Sequence, residues 1–338
     1  MNKKALFRLD SGGKYGLGHI MRSKALADAL RKIGVKCTFA VKTIHANDAV
    51  NPHQFIVIND EDEFLSLAKH YDCVIVDHYE FTTELFYALS QLEQSTLIVL
   101  DDECNRGVLY ADLIINPLNQ AKSLPYNLAA PNAKLLSGTD YILLGQDFKR
   151  VECLDYASRD SIIITFGGSD VTNLTLPVLK AINNTINNIT INNILLTGFN
   201  IIVVTGAGCN NTAEIKDYCH QYNFVHQHNV KNMAALFSKA KLAFSAAGST
   251  AFELAYCGVP AVFAVVADNQ LMSIKEQCQH GWCEMIDCRT QNNAEEIVRK
   301  AEQMLHSGAL ETLSKTAQSL VDGQGADRVA AHIKHLLV

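Results

Sequence analysis

Short apolar runs of strand length recur along this chain, each ending in small or polar residues and followed by a helical pattern. No other feature restricts the fold as much. In the first half the runs are Ala5–Leu9, Cys37–Val41, Gln54–Ile58, Cys73–Val76, Thr96–Leu100 and Leu113–Ile115, with helical patterns such as His19–Ile33 and Thr83–Leu92 between them. The second half repeats the rhythm with Ser161–Phe166, Ile201–Thr205, Phe224–His226, Leu242–Ser245 and Ala261–Val266. Its helical patterns are Thr172–Asn183, Asn211–Tyr222, Met233–Lys239, Thr250–Tyr256 and Leu271–His280. Strands that are apolar throughout and alternate with helices predict parallel sheets covered on both faces. Two such series predict an α/β protein of two doubly wound, Rossmann-like domains, with the cleft between them as the default site.

A length of 338 residues fits two domains. The boundary is expected in the polar stretch Gly145–Asp160, giving domains over 1–150 and 151–325, and the tail 326–338 reads as an amphipathic closing helix. The run Asn183–Asn193, rich in Asn, Ile and Thr, reads as an inserted surface loop.

Charge narrows the partners. The chain has 29 basic and 35 acidic residues, a net charge of −6, split 16 to 18 in the first 150 residues. A nucleic-acid-binding or membrane-surface domain would carry a basic cluster, and none is present. The longest apolar runs, such as Ala261–Ala267, fall far short of the ~20 residues needed to cross a bilayer. Arg8 and Asp10 interrupt any signal-peptide core after Lys3 and Lys4, so a cytoplasmic protein is expected. The ten cysteines include no C-x-x-C, and the five-residue spacing of Cys278, Cys283 and Cys288 fits no zinc pattern. Reduced thiols and no metal or cofactor are expected.

Five constellations follow strands. The first is Asp10-Ser11-Gly12-Gly13-Lys14-Tyr15-Gly16-Leu17-Gly18-His19, between the first strand and a helix. Glycines let the backbone approach a ligand, and a helix start favours negative charge and a neutral imidazole at His19, able to take a proton. The alternative is a histidine that only packs at the turn. The second is Asp77-His78-Tyr79, where Asp77 would orient a base or bind a sugar hydroxyl and Tyr79 would stack or hydrogen-bond; a plain turn is the alternative. The third, Asp101-Asp102-Glu103, reads as a solvated acidic turn, or one carboxylate facing the cleft, ahead of a metal site.

The fourth, Gly167-Gly168-Ser169-Asp170 with Asn173, would wrap a phosphate, or would be a tight turn with Asp170 or Thr172 as helix cap. In the fifth, Ser245-Ala246-Ala247-Gly248-Ser249-Thr250, small residues clear space at a helix start for a diphosphate, and Glu253 one turn on would accept both ribose hydroxyls. Asn269-Gln270 end a strand at the same edge.

Taken in order, G-x-G-H-x-x-R (Gly16, Gly18, His19, Arg22), Asp77-His78-Tyr79, Asp101-Asp102-Glu103, Gly167-Gly168-Ser169-Asp170, Ser245-Ala246-Ala247-Gly248 with Glu253, and Asn269-Gln270 resemble one family. It is the PseG family of UDP-2,4-diacetamido-2,4,6-trideoxy-β-L-altropyranose hydrolases of pseudaminic acid synthesis. The resemblance spans nearly the whole chain, and its first-domain motifs are the more specific part.

The resemblance implies a GT-B fold with UDP held mainly by the second domain, and metal-independent hydrolysis of the anomeric C–O bond with inversion. His19 matches the family's proposed general base, and Tyr79 and Asn269 its sugar-site residues. Gly16, Gly18, Arg22, Asp77, Gly167, Gly168, Ser169, Asp170, Asn173, Ala247, Gly248, Ser249, Thr250, Glu253 and Gln270 would bind the UDP-sugar. The protein would act as a monomer on that small molecule. Gly145-Gln146 depart from the family, which tends to have Arg there. Three other readings stay open: a GT-B glycosyltransferase with a UDP-sugar donor, a non-catalytic sugar-nucleotide binder, and a UDP-sugar 2-epimerase, whose C2 acid/base set is not evident.

Overall fold

The computed structural model describes residues 3–10, 18–44, 52–93, 95–187 and 198–337. They form two compact units, Met1–Gln146 with Gly323–Val338, and Asp147–Asp322. The first unit has seven strands: β1 (Lys4–Arg8), β2 (Lys36–Val41), β3 (Gln54–Val57), β4 (Cys73–Val76), β5 (Thr96–Leu100), β6 (Leu113–Asn116) and β7 (Lys134–Ser137). They pair in the order β3-β2-β1-β4-β5-β6-β7, all parallel.

The helices of this unit are α1 (Gly18–Lys32), α2 (Glu61–Ala68), α3 (Thr83–Ser90), α4 (Tyr126–Ala129) and, from the tail, α13 (Gly325–Leu336). Both sheet faces are covered, which is why the strands carry no polar alternation. Ala5, Phe7 and Leu9 face Leu26 and Leu30 of α1 and Val329 and Ile333 of α13. Leu6, Val74 and Val76 face Phe64 of α2 and Phe86 of α3. The helix ends follow local chemistry. Asp60 accepts the Glu63 N–H to start α2, and α1 ends on Arg31 and Lys32 before Gly34 at φ +87°.

Docking α13 requires a glycine at its start. A Cβ on Gly325 would stand 2.2 Å from the Ile142 carbonyl oxygen. Gly325→Ala is therefore expected to cost about 1–3 kcal/mol through overpacking. A thermal scan should show the transition lowered by several degrees, at about 2–4 °C per kcal/mol; an unchanged scan would mean the contact yields freely.

The second unit repeats the plan with β8 (Ser161–Thr165), β9 (Asn200–Thr205), β10 (Val225–His228), β11 (Ala240–Ala246), β12 (Ala261–Val265) and β13 (Cys283–Asp287). The order is β10-β9-β8-β11-β12-β13, again all parallel. Its helices are α5 (Gln146–Arg150), which carries the chain between units, α6 (Thr175–Asn187), α7 (Thr212–Gln221), α8 (Met233–Phe237), α9 (Thr250–Tyr256), α10 (Asp268–Gln279), α11 (Ala294–His306) and α12 (Leu310–Leu320).

Apolar runs do not announce β7 and β13. Both are edge strands, and β13 is mostly half-buried. α6 starts three residues later than its periodicity suggests. Asp170 turns the chain at φ +43° and its carboxylate accepts the Leu174 and Thr175 N–H groups, which sets the first helical residue. The helix then runs to Asn187, into the Asn-rich stretch read as a loop, and residues 188–193 of that stretch lie outside the described residues. Among the described residues, no helix is long and apolar enough to cross a membrane.

Candidate functional site

In each sheet the strand order reverses beside the first strand of its unit, at β1/β4 and at β8/β11. Doubly wound sheets bind ligands at the carboxyl ends of such strands. The strands deliver the nominated motifs to these two places.

In the first unit, β1 leads through the glycine loop to His19, the second residue of α1, while β4 ends at Val76 and delivers Asp77. Gly18 opens α1; Gly16 lies outside the described residues. His19 and Asp77 are buried, with Nδ1 2.5 Å from Asp77 Oδ1. Asp77 also takes the Ser23 hydroxyl and two donors of Arg22, Nε at 2.8 Å and Nη2 at 2.5 Å. Burial alone would raise the Asp77 carboxyl, but the Arg22 charge and the His19 contact outweigh it and hold it well below the usual range. An ionised Asp77 accepts, so the neutral imidazole carries its proton on Nδ1. Nε2 is left with a lone pair. A base whose second nitrogen is fixed by a carboxylate is the arrangement needed to take a proton from water.

Arg22 spans two carboxylates. Beyond Asp77, its Nη1 donates to Asp102 Oδ1 at 2.9 Å and Oδ2 at 3.0 Å. Burial disfavours its charge, yet Asp102 and Asp77 hold it firmly protonated. All three guanidinium nitrogens bond these acids, so Arg22 ties Asp77 to Asp102. Tyr79 donates its O–H to Asp102 Oδ2 at 2.7 Å, and its ring stands edge-on to His19 with centroids 4.5 Å apart.

A second buried network lies beside the first. His78 Nδ1 accepts the Glu80 N–H, so Nε2 donates to Asp10 Oδ2 at 2.9 Å. Arg8 is fully buried and bridges Asp10 and Glu61. Burial opposes ionisation of Asp10, but His78 and Arg8 outweigh it and keep it a carboxylate. The residue before the glycine loop is thereby fixed.

The acidic turn after β5 corrects the solvated-turn expectation. Asp101 is buried, paired with Arg106 at 2.6 Å and hydrogen-bonded by Tyr126 and the Cys104 N–H. Asp102 is held by Arg22 and Tyr79, as above. Among the described residues, no group of three or more His, Cys, Asp or Glu is placed to hold a metal ion. The ten cysteines are unbridged.

In the second unit, β8 delivers Gly167, at φ +82°, then Gly168 and Ser169. The Gly208 N–H donates to the Gly168 carbonyl at 2.9 Å, and a Cβ on Gly206 would fall 2.4 Å from that oxygen. Two glycine turns thus pack backbone against backbone. Asp170 spends both oxygens capping α6, the structural alternative for that motif, and Asn173 takes φ +51° with its N–H on the Asp170 carbonyl.

β11 delivers Ala247, Gly248, Ser249 and Thr250 into α9, with no side chain capping the helix. Glu253 lies in the first turn, half-buried, and its carboxylate has no hydrogen bond or ion pair among the described residues. Burial pushes it up to about 7 from an ordinary 4.5. A desolvated acid with no partner among the described residues is a candidate ligand contact. After β12, Asn269 is the second residue of α10, and Gln270 turns its Oε1 back to the Val266 N–H at 2.9 Å, so that oxygen serves the turn.

Glu253 makes a pH prediction. A carboxyl raised by folding leaves stability intact below pH 4.5 and loses it as pH rises through about 7. At about 1.4 kcal/mol per pH unit, the loss approaches about 3 kcal/mol above pH 7. Glu253→Gln should raise the unfolding temperature relative to the parent above pH 7, with no gain at pH 4.5. A gain independent of pH would assign the effect to packing.

No family model matches this chain. It is 23% identical over 343 residues to the spore coat polysaccharide biosynthesis protein SpsG of Bacillus subtilis, covering 97% of this chain and 96% of that one. A UDP-2,4-diacetamido-2,4,6-trideoxy-β-L-altropyranose hydrolase of Campylobacter jejuni is 26% identical over 188 residues, 54% of this chain and 66% of that protein. A Helicobacter pylori protein named as both pseudaminic acid cytidylyltransferase and the same hydrolase is 24% identical over 268 residues, 77% of this chain and 44% of its own length. Among solved structures, Acinetobacter baumannii MurG superposes with a TM-score of 0.65 at 14% identity, over 98% of this chain and 99% of that one. Staphylococcus aureus MnaA with UDP gives 0.65 at 14%, over 99% and 97%. The calicheamicin glycosyltransferase CalG4 gives 0.63 at 12%, over 100% and 99%. These likenesses show the GT-B fold.

Proposed function

We propose that this chain is a UDP-sugar hydrolase that cleaves the anomeric C–O bond of UDP-2,4-diacetamido-2,4,6-trideoxy-β-L-altropyranose, with inversion and His19 as general base. The observation that carries the proposal is His19 Nδ1 held 2.5 Å from the ionised Asp77, which leaves Nε2 as the acceptor. The Campylobacter and Helicobacter relatives named for this hydrolysis support the choice of substrate, and MnaA with UDP supports a fold suited to a uridine nucleotide.

In this reaction a water oxygen attacks the anomeric carbon as the bond to the diphosphate oxygen breaks. The water proton passes to His19 Nε2, and UDP departs with the electron pair. UDP is a good leaving group, so the reading asks for neither a strong acid nor a metal. Backbone N–H groups at Gly248, Ser249 and Thr250 stabilise the departing charge, and Glu253 accepts the ribose hydroxyls. Tyr79 and Asn269 contact the sugar. The protein works as a cytoplasmic monomer in this reading.

The test is NMR of the diacetamido-altrose nucleotide with the protein in ¹⁸O-water and no acceptor. The expected result is stoichiometric free sugar carrying ¹⁸O, formed first as the inverted anomer. Label in UDP would contradict C–O cleavage. No turnover without an acceptor would favour a transferase, and tight binding with no turnover under any condition a sensor.

A further inference from the structure

Asp102 has no place in the reaction described above, yet two residues of the His19 site converge on it. Its Oδ2 accepts the Tyr79 O–H at 2.7 Å and Arg22 Nη1 at 3.0 Å. We propose that Asp102 is a positioning residue which, by accepting the Tyr79 O–H hydrogen bond, makes the Tyr79 oxygen an obligate hydrogen-bond acceptor, selecting a sugar that presents an amide N–H or hydroxyl there. The inference rests on the hydrolase reading and deepens it.

A phenol has one proton. Once that proton is spent on a carboxylate, the oxygen offers other groups only lone pairs. The bond to Asp102 is charge-assisted, about twice as strong as one to a neutral substrate carbonyl, so a substrate acceptor does not win the proton back. Burial and the Asp102 anion both push the Tyr79 phenol up. Its oxygen therefore stays a neutral acceptor and does not become a second base. The hydroxyl anchor also fixes the ring that stands edge-on against His19. The sequence does not show this role, because Tyr79 and Asp102 are 23 residues apart, in the turns after two different strands.

Asp102 and Tyr79 variants in combination test the inference, read as kcat/KM on the diacetamido-altrose nucleotide. With Tyr79 present, Asp102→Ala is expected to cost about 10²-fold, the scale of misplacing a group in the site. Asp102→Asn is expected to cost about tenfold or less, because an amide carbonyl in place of Oδ2 still accepts from both donors. In the Tyr79→Phe background the two Asp102 variants should agree within about threefold, the proton at issue being gone. Equal losses for Ala and Asn with Tyr79 present would overturn the inference, as would a tenfold gap persisting with Phe.

If the alanine variant does not fold, Asp102→Asn alone decides. It should cost severalfold more with Tyr79 than with Phe, and equal costs overturn the inference. A parent protein that releases no sugar without an acceptor fails the hydrolase reading and takes this inference with it. Turnover by the parent with an uncoupled pair fails this inference alone.

Discussion

His19→Ala is expected to lower kcat at least ~10²-fold while UDP still binds with unchanged affinity. General-base assistance to a positioned water is worth about 10²–10⁴ in rate, and alanine removes the imidazole that Asp77 orients. The groups that the proposed reaction assigns to UDP (Gly248, Ser249, Thr250 and Glu253) lie in the second unit, so ground-state affinity for the nucleotide should be spared. A loss in kcat with no change in nucleotide binding is the signature of an interaction used only in the transition state. Steady-state kinetics and UDP calorimetry on the same preparation measure both. Hydrolysis at the parent rate would remove His19 from the role, and a matching loss of UDP affinity would recast it as a binding residue.

Asp77→Asn should be comparably damaging, about 10²–10⁴-fold in kcat, by a different route. An asparagine amide would donate to His19 Nδ1 and drive the proton onto Nε2, leaving no lone pair for water. In Ser-His-Asp triads the same exchange costs about 10⁴-fold through the wrong tautomer. The substitution also removes the charge that Arg22 grips with two nitrogens. Breaking a buried ion pair costs about 3–5 kcal/mol, so a lower unfolding temperature should accompany the kinetic loss. ¹⁵N NMR of labelled histidine reads the tautomer directly. An unchanged tautomer with normal turnover would show that Asp77 only supports the fold.

Much of this architecture was legible before any coordinates. The β4 and β5 spans fall where the apolar runs end, because a strand buried on both faces has no polar position to blur its limits. The edge strands β7 and β13 escaped, since partial exposure dilutes the apolar signal. α2 is not among the helical patterns named from the sequence; its first turn, Glu61, Asp62 and Glu63, is acidic and complements the helix dipole. In the sites, His19 was visible from the glycine loop that precedes it.

The partners of His19 were not visible. Asp77 lies 58 residues from it, and Asp102 lies 80 residues from Arg22. Asp170 shows the reverse case: its glycine turn reads either as a phosphate loop or as a helix cap, and its two oxygens close the start of α6.

The amino-acid order by itself determined two parallel α/β units and which loops lie at the carboxyl ends of their strands, because periodicity, apolar runs and glycine turns are local properties. Only the tertiary structure decided which carboxylate holds His19, which guanidinium holds that carboxylate, and that Glu253 has no partner among the described residues. Ion pairs and burial are properties of distances across the sheet, and those distances exist only once β1, β4 and β5 lie side by side.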